Sequence, residues 1–131
     1  MILLQALLLV LSLLGEVGDA SWYGPGFYGQ PTASGAIYQP DTWGVAHRTL
    51  PLGTVVRVTS ACGSVIVPVL DRGPYGVEGR ILDVSPLVAE RLFCQGYGLA
   101  PAGPYGLEKV WMTVVTGRNP SWQTAQNKWL Q

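Results

Sequence analysis

Two cysteines, one histidine and a thin scatter of charge deny this chain several common chemistries. Cys62, Cys94 and His47 are the only Cys and His residues in 131, too few for a zinc site of four such ligands. Charged residues make up 12% of the chain. The bases are spread from Arg48 to Lys128 without a run, so counter-ion release has no dense patch to act on and nothing argues for nucleic acid as a partner. There is no P-loop for nucleotides and no serine elbow for acyl transfer. Neither a metal nor any other cofactor is expected.

Long apolar runs are also scarce outside the first twenty residues. Ile2 to Leu14 is almost purely apolar, and Gly18-Asp19-Ala20 supplies the small residues a signal peptidase reads, so residues 1–20 are expected to be a signal peptide. No Lys or Arg precedes the run, and a retained anchor or a core helix is the alternative. The run is short for a membrane span, so no stable span is expected after cleavage. Without residues 1–20 the chain loses Glu16 and Asp19 of its eight acids and none of its eight bases, leaving a formal charge of +2. Such a surface tolerates an acidic polymer. The two cysteines fit either one disulfide in an exported protein or two buried thiols.

What the sequence does contain is organised around Val65 to Gly76, V-I-V-P-V-L-D-R-G-P-Y-G. A short apolar run bounded by turn residues predicts a buried strand, and the charges that follow must sit at its mouth, because an unpaired Asp in a core costs several kcal/mol. Asp71 is therefore the leading candidate for chemistry; the plainer reading is an Asp71–Arg72 pair that holds a turn. Pro68 lacks an N–H and must occupy an edge, a bulge or a non-bonded position.

Around that strand, Val55–Val58 reads as its hairpin partner and Ser60 to Ser64 as the connecting loop. Ile81–Val84 reads as another strand and Glu108–Val115 as the closing one. Ser85-Pro86 starts a helix carrying Leu87, Val88, Arg91 and Leu92, which Gly96 or Gly98 ends. Asp83 lies beside that cap and is expected to serve the corner. Trp22, Tyr23, Phe27 and Tyr28 stand among glycines and a proline, either as the packed edge of a small barrel or as a platform for sugar rings. His47 lies in an ordered loop, where it can orient a carboxylate, bind a substrate hydroxyl or simply be a hydrogen-bonded neighbour. The tail, residues 116–131, has Trp122 and Trp129 and no clear period. Short strands, many Gly and Pro turns and one short helix predict an all-β fold, a small barrel.

Five segments occur in an order and spacing that resemble a known family: Ser21-Trp22-Tyr23-Gly24, Thr32-Ala33-Ser34-Gly35, Ala46-His47-Arg48-Thr49-Leu50-Pro51-Leu52-Gly53-Thr54, Asp71-Arg72-Gly73-Pro74-Tyr75 and Arg80-Ile81-Leu82-Asp83-Val84-Ser85. They resemble the RlpA-like double-psi β-barrels, related in fold to expansins and barwin, over about residues 21–115. The resemblance implies a six-stranded double-psi barrel with a groove across it, and in bacterial members a lytic transglycosylase that cuts peptidoglycan glycan strands. It implies Asp71 as general acid and then base, with His47 binding or orienting. Trp22, Tyr23, Arg72 and Tyr75 would bind substrate, while Asp83, Cys62 and Cys94 would be structural. The expected partner is the glycan strand, the expected location outside the cell or in the periplasm and envelope, and the expected state a monomer. Where the family's transglycosylases commonly carry a Glu after the Thr-Ala-x-Gly stretch, this chain has Ala36. Three readings therefore stand: a lytic transglycosylase, a non-catalytic expansin-like glycan-binding barrel, and a virion or envelope structural module.

Overall fold

Valine builds the centre of the fold. In the computed structural model, β3 (Val55–Ser60) and β4 (Gly63–Asp71) place Val56, Val58, Val65, Val67 and Val69 at alternate positions, and all five are buried. That is the two-residue period of a ladder with one face on a core. The structure describes residues 2–6, 15–94 and 106–116. Residues 7–14 of the N-terminal apolar run, the stop at Gly96 or Gly98, and the tail with Trp122 and Trp129 lie outside the described residues.

β3 and β4 pair antiparallel from Val55↔Pro68 to Ser60↔Gly63. The hairpin is tighter than its sequence suggests, because Thr59 and Ser64 pair and their hydroxyls meet at 3.1 Å, which carries the ladder nearly to the turn. Pro68 sits in the middle of β4 without breaking it. The Val69 N–H donates to the Thr54 carbonyl at 2.8 Å, so by alternation the Pro68 nitrogen faces away from β3, and the ladder on that other side starts only at Val69.

The remaining strands are β1 (Glu16–Trp22), β2 (Val45–Ala46), β5 (Arg80–Val84) and β6 (Leu107–Thr116). All six close into a barrel in the order β1-β5-β2-β4-β3-β6, with β1∥β5 and β2∥β4 parallel and every other pair antiparallel. This is the six-stranded barrel expected. One feature differs from the sequence reading: Glu16 to Ala20, assigned above to the signal peptide, are strand, paired to β6 from Glu16↔Met112 through Ser21↔Leu107. Gly18 belongs to the packing here, since a Cβ on it would lie 2.6 Å from Ile81 Cγ2 and 2.8 Å from the Gly79 carbonyl.

Helix α1 (Pro86–Leu92) starts where Ser85-Pro86 predicted, with Ser85 Oγ accepting the Val88 N–H at 3.4 Å. Val88, Ala89, Leu92 and the following Phe93 are buried against the barrel. A 3-10 turn at Pro25–Phe27 follows β1. Gly24, Gly26 and Gly29 have the spacing of a dinucleotide-binding loop, but the turn they open is three residues long and offers no helix end to a pyrophosphate. Among the described residues no helix is long and apolar enough to cross a membrane.

Cys62 at the β3–β4 turn is bonded to Cys94 beyond α1, with Cα atoms 5.3 Å apart. The pair therefore forms one disulfide rather than two thiols. It pins the helix to the hairpin, where Ser60 Oγ also donates to the Leu92 carbonyl at 2.6 Å. Cross-linking residues 32 apart restricts the unfolded chain enough to contribute about 4 kcal/mol. The Cys62→Ser/Cys94→Ser variant is expected to lose about that much in urea unfolding while keeping the barrel's far-UV spectrum.

Candidate active site

Ala46 is the hub of the site because two strands pair with it at once. It stands opposite Asp71 on β4 and opposite Asp83 on β5, and Asp83 in turn stands opposite Ser21 on β1. Ser21, Asp83, Ala46 and Asp71 thus form one row across four neighbouring strands. At about 4.8 Å per strand the two aspartate Cα atoms are roughly 10 Å apart, with only a methyl side chain between them.

The two carboxyl groups live in different surroundings. Asp71 Oδ1 accepts the backbone N–H groups of Ala33 and Arg72, both at 2.9 Å. The polar loop Thr32–Gly35 is folded onto it: Ser34 N donates to the Leu70 carbonyl at 3.0 Å, and Thr32 Oγ1 lies 2.8 Å from both Ser34 Oγ and the Ala36 carbonyl. Asp83 is half-buried and accepts the hydroxyl of Ser21. Burial pushes its carboxyl above the usual carboxylate range; the Ser21 hydrogen bond and the charges of Arg80 and Arg48 oppose this, and the charge of Asp71 adds to it.

Asp83 opens into a pocket of about 300 Å³ whose walls include Trp22, Tyr23, Phe27 and Arg80. Behind that wall Tyr23 stacks on Tyr38 at 4.1 Å, and Tyr38 stacks on Tyr28 at 5.7 Å. The Tyr38 hydroxyl donates to the Tyr23 carbonyl. Burial drives the phenols of Tyr23 and Tyr38 far above their ordinary range, and the charges of Asp71 and Asp83 push the same way. The aromatic stretch is in part the packed edge expected of it. Tyr38 and Trp22 are packed, whereas Phe27, edge-on to Tyr23 at 5.6 Å, is 55% exposed and lines the pocket.

His47 looks elsewhere. Its Nδ1 accepts the N–H groups of Thr49 and Leu50, each at 3.1 Å, and its Nε2 lies 3.0 Å from Glu16 Oε1. It joins Asp71 only through the main chain, its N–H donating to the Asp71 carbonyl at 3.1 Å. The ring lines a second pocket of about 300 Å³ with Glu16, Thr49, Leu50, Met112 and Val114.

Residues 15–102 match the family described as lytic transglycolase. The chain belongs to this family of double-psi β-barrels. Among curated lytic transglycosylases, it is 42% identical over 92 residues to the endolytic peptidoglycan transglycosylase RlpA of Campylobacter jejuni, covering 67% of this chain and 33% of that protein. With RlpA of Pseudomonas aeruginosa PAO1 it shares 41% over 114 residues, 86% of this chain and 33% of the relative. The chain thus spans about a third of the curated relatives it matches. A crystal structure of an expansin from Clavibacter michiganensis superposes with a TM-score of 0.53 at 21% identity, over 79% of this chain and 51% of that one, a likeness of fold.

Within this barrel several residues stand differently from the sequence reading. Asp83 does not serve the helix corner, which Ser85 caps; its carboxyl faces Ser21 and the aromatic pocket. Asp71 and Arg72 form no ion pair, because Arg72 Nη1 is spent on the carbonyls of His47 at 3.2 Å and Leu50 at 2.6 Å. Arg72 is thereby a clamp on the His47 loop. Tyr75 is 67% exposed, and a Cβ on Gly73 would meet its ring at 3.9 Å and Asp83 Oδ2 at 3.8 Å, so Tyr75 and Asp83 flank that glycine. Two residues were missed. Glu16 was set aside with the signal peptide, and Arg48, visible only as the neighbour of His47, donates to the carbonyls of Pro74, Val77 and Arg80 and so holds the loop between the two aspartates.

Proposed function

We propose that this chain cleaves peptidoglycan glycan strands by lytic transglycosylation, in the cell envelope or outside the cell, with Asp83 as proton donor and Asp71 as its partner carboxylate. The observation that carries the assignment is the position of Asp83: a half-buried carboxyl with raised proton affinity, at the wall of a pocket whose exposed ring, Phe27, suits a sugar face. Pairs of carboxyls in contrasting environments divide acid and base duties. The sequence alone favoured Asp71 as the acid; in this reading it is the partner carboxylate, held in place by the backbone N–H groups of Ala33 and Arg72.

The reaction balances without water. Asp83 delivers its proton to the glycosidic oxygen as the C1–O bond breaks. A hydroxyl of the same sugar closes on the anomeric carbon, its proton passes to a carboxylate, and an anhydro end results. One barrel holds every group invoked, so a monomer suffices. The disulfide agrees with an oxidising compartment, and an export signal belongs to the same proposal.

Digestion of purified sacculi and of peptide-free glycan strands, read by mass spectrometry, tests this: anhydro-muramyl ends are expected. Ala36 favours a second reading, a barrel that binds glycan without cutting it. Protein that pellets with sacculi and releases nothing would establish that reading and overturn the enzyme; protein that neither binds nor cuts would leave the barrel as a scaffold.

A further inference from the structure

We infer that Glu16 is a positioning residue, whose carboxylate takes the Nε2–H of His47 across the end of the barrel and fixes the imidazole between β1, β6 and the 47–50 loop. The argument starts from the ring itself. Two backbone N–H groups converge on Nδ1, from Thr49 and Leu50, so Nδ1 is an acceptor and the hydrogen of the neutral ring resides on Nε2. His47 is 7% exposed. A buried donor of that kind needs an acceptor, and Glu16 Oε1, at 3.0 Å, is the one it meets.

The other lining groups of that pocket are Gly15, Thr49, Leu50, Met112 and Val114, none of which carries a carboxylate. The Asp71 carboxylate is already engaged by Ala33 and Arg72. Strand directions explain why Glu16 is in reach. β1 runs parallel to β5 and β2 antiparallel to it, so the start of β1 and the end of β2 share one end of the barrel. Glu16 is half-exposed, 46% of its side chain, while the histidine is sealed, so one flexible carboxylate sets an otherwise enclosed ring.

The effect reaches the row of aspartates through the main chain. His47 N donates to the Asp71 carbonyl, and Arg72 returns to the carbonyls of His47 and Leu50. An imidazole released from Glu16 loosens the loop that borders Asp71. The catalytic part of this inference rests on the function proposed above, whereas the hydrogen bond does not.

Because His47 is the only histidine, long-range ¹H–¹⁵N spectra of the full chain report on it without ambiguity. The expected wild-type result is an Nε2–H tautomer with slow Nε2–H exchange. Glu16→Gln, which keeps an acceptor oxygen, should preserve tautomer and turnover; Glu16→Ala should speed that exchange, move the Nε2 resonance and lower kcat on glycan strands by about tenfold to a hundredfold at similar KM. An Nδ1–H tautomer in the wild type, or Glu16→Ala spectra identical to wild type, would overturn the inference. Wild-type protein that cuts no glycan would sink the proposed function while the spectra still decide the role of Glu16.

Discussion

Asp83→Asn is expected to lower the rate of anhydro-end formation by about 10²–10⁴-fold, the loss typical of removing a positioned proton donor. The asparagine keeps an oxygen for the Ser21 hydroxyl, so the row Ser21–Asp83–Ala46–Asp71 should persist and the loss should fall on turnover rather than on folding. Stability supplies an independent check. Burial raises the proton affinity of Asp83 in the folded barrel, so the folded state binds this proton more tightly than the unfolded chain. The stability this confers is fully present below the ordinary carboxylate value of about 4 and is lost as pH rises through the higher folded value. Asp83→Asn lacks that loss. Urea midpoints should therefore fall less for the variant than for the wild type between pH 4 and pH 7, and catalysis by the wild type should decline over the same rise. A variant that cuts glycan at the wild-type rate would remove Asp83 from the mechanism.

The second large effect concerns the first strand. A chain beginning at Ser21 retains two of the seven residues of β1 and one of its six register pairs with β6. It loses Ala20, which is fully buried, and the ladder that joins β1 to β6 and so closes the barrel. At about 1 kcal/mol for each net hydrogen bond, the loss approaches the 5–15 kcal/mol that holds a whole domain together. The shortened chain is expected to show no cooperative urea transition, and a chain from Gly15 a sharp one. Equal transitions for the two would mean that Glu16 to Ala20 are dispensable to the fold.

These two results bear on what could be read from residues alone. The valine alternation of β3 and β4, the Ser85-Pro86 helix start and the run from Val65 to Asp71 were legible because each is a local signal whose period or cap chemistry is written in adjacent residues. The relation between Asp71 and Asp83 was not. It depends on both pairing with Ala46, and register between strands far apart in sequence leaves no mark within either strand. β2 itself is two residues long, too short to show any period. Glu16 to Ala20 were obscured for another reason: Gly18 is there to let Ile81 and the Gly79 carbonyl approach, yet Gly-x-Ala is also what a peptidase recognises. Asp83 was assigned to the wrong neighbour because proximity along the chain pointed to the cap, whereas its partner Ser21 is 62 residues away.

The barrel's closure also sets an order in time. β6 lies between β3 and β1, so the first and last strands are neighbours and the ring cannot close until residues 107–116 have been made. The β3–β4 hairpin, joined by a tight turn, has contacts that form quickly; the β1–β6 seam joins segments about ninety residues apart and must meet the entropy of closing that loop first. Until residues 107–116 have been made, the chain therefore lacks the strand that would lock the barrel.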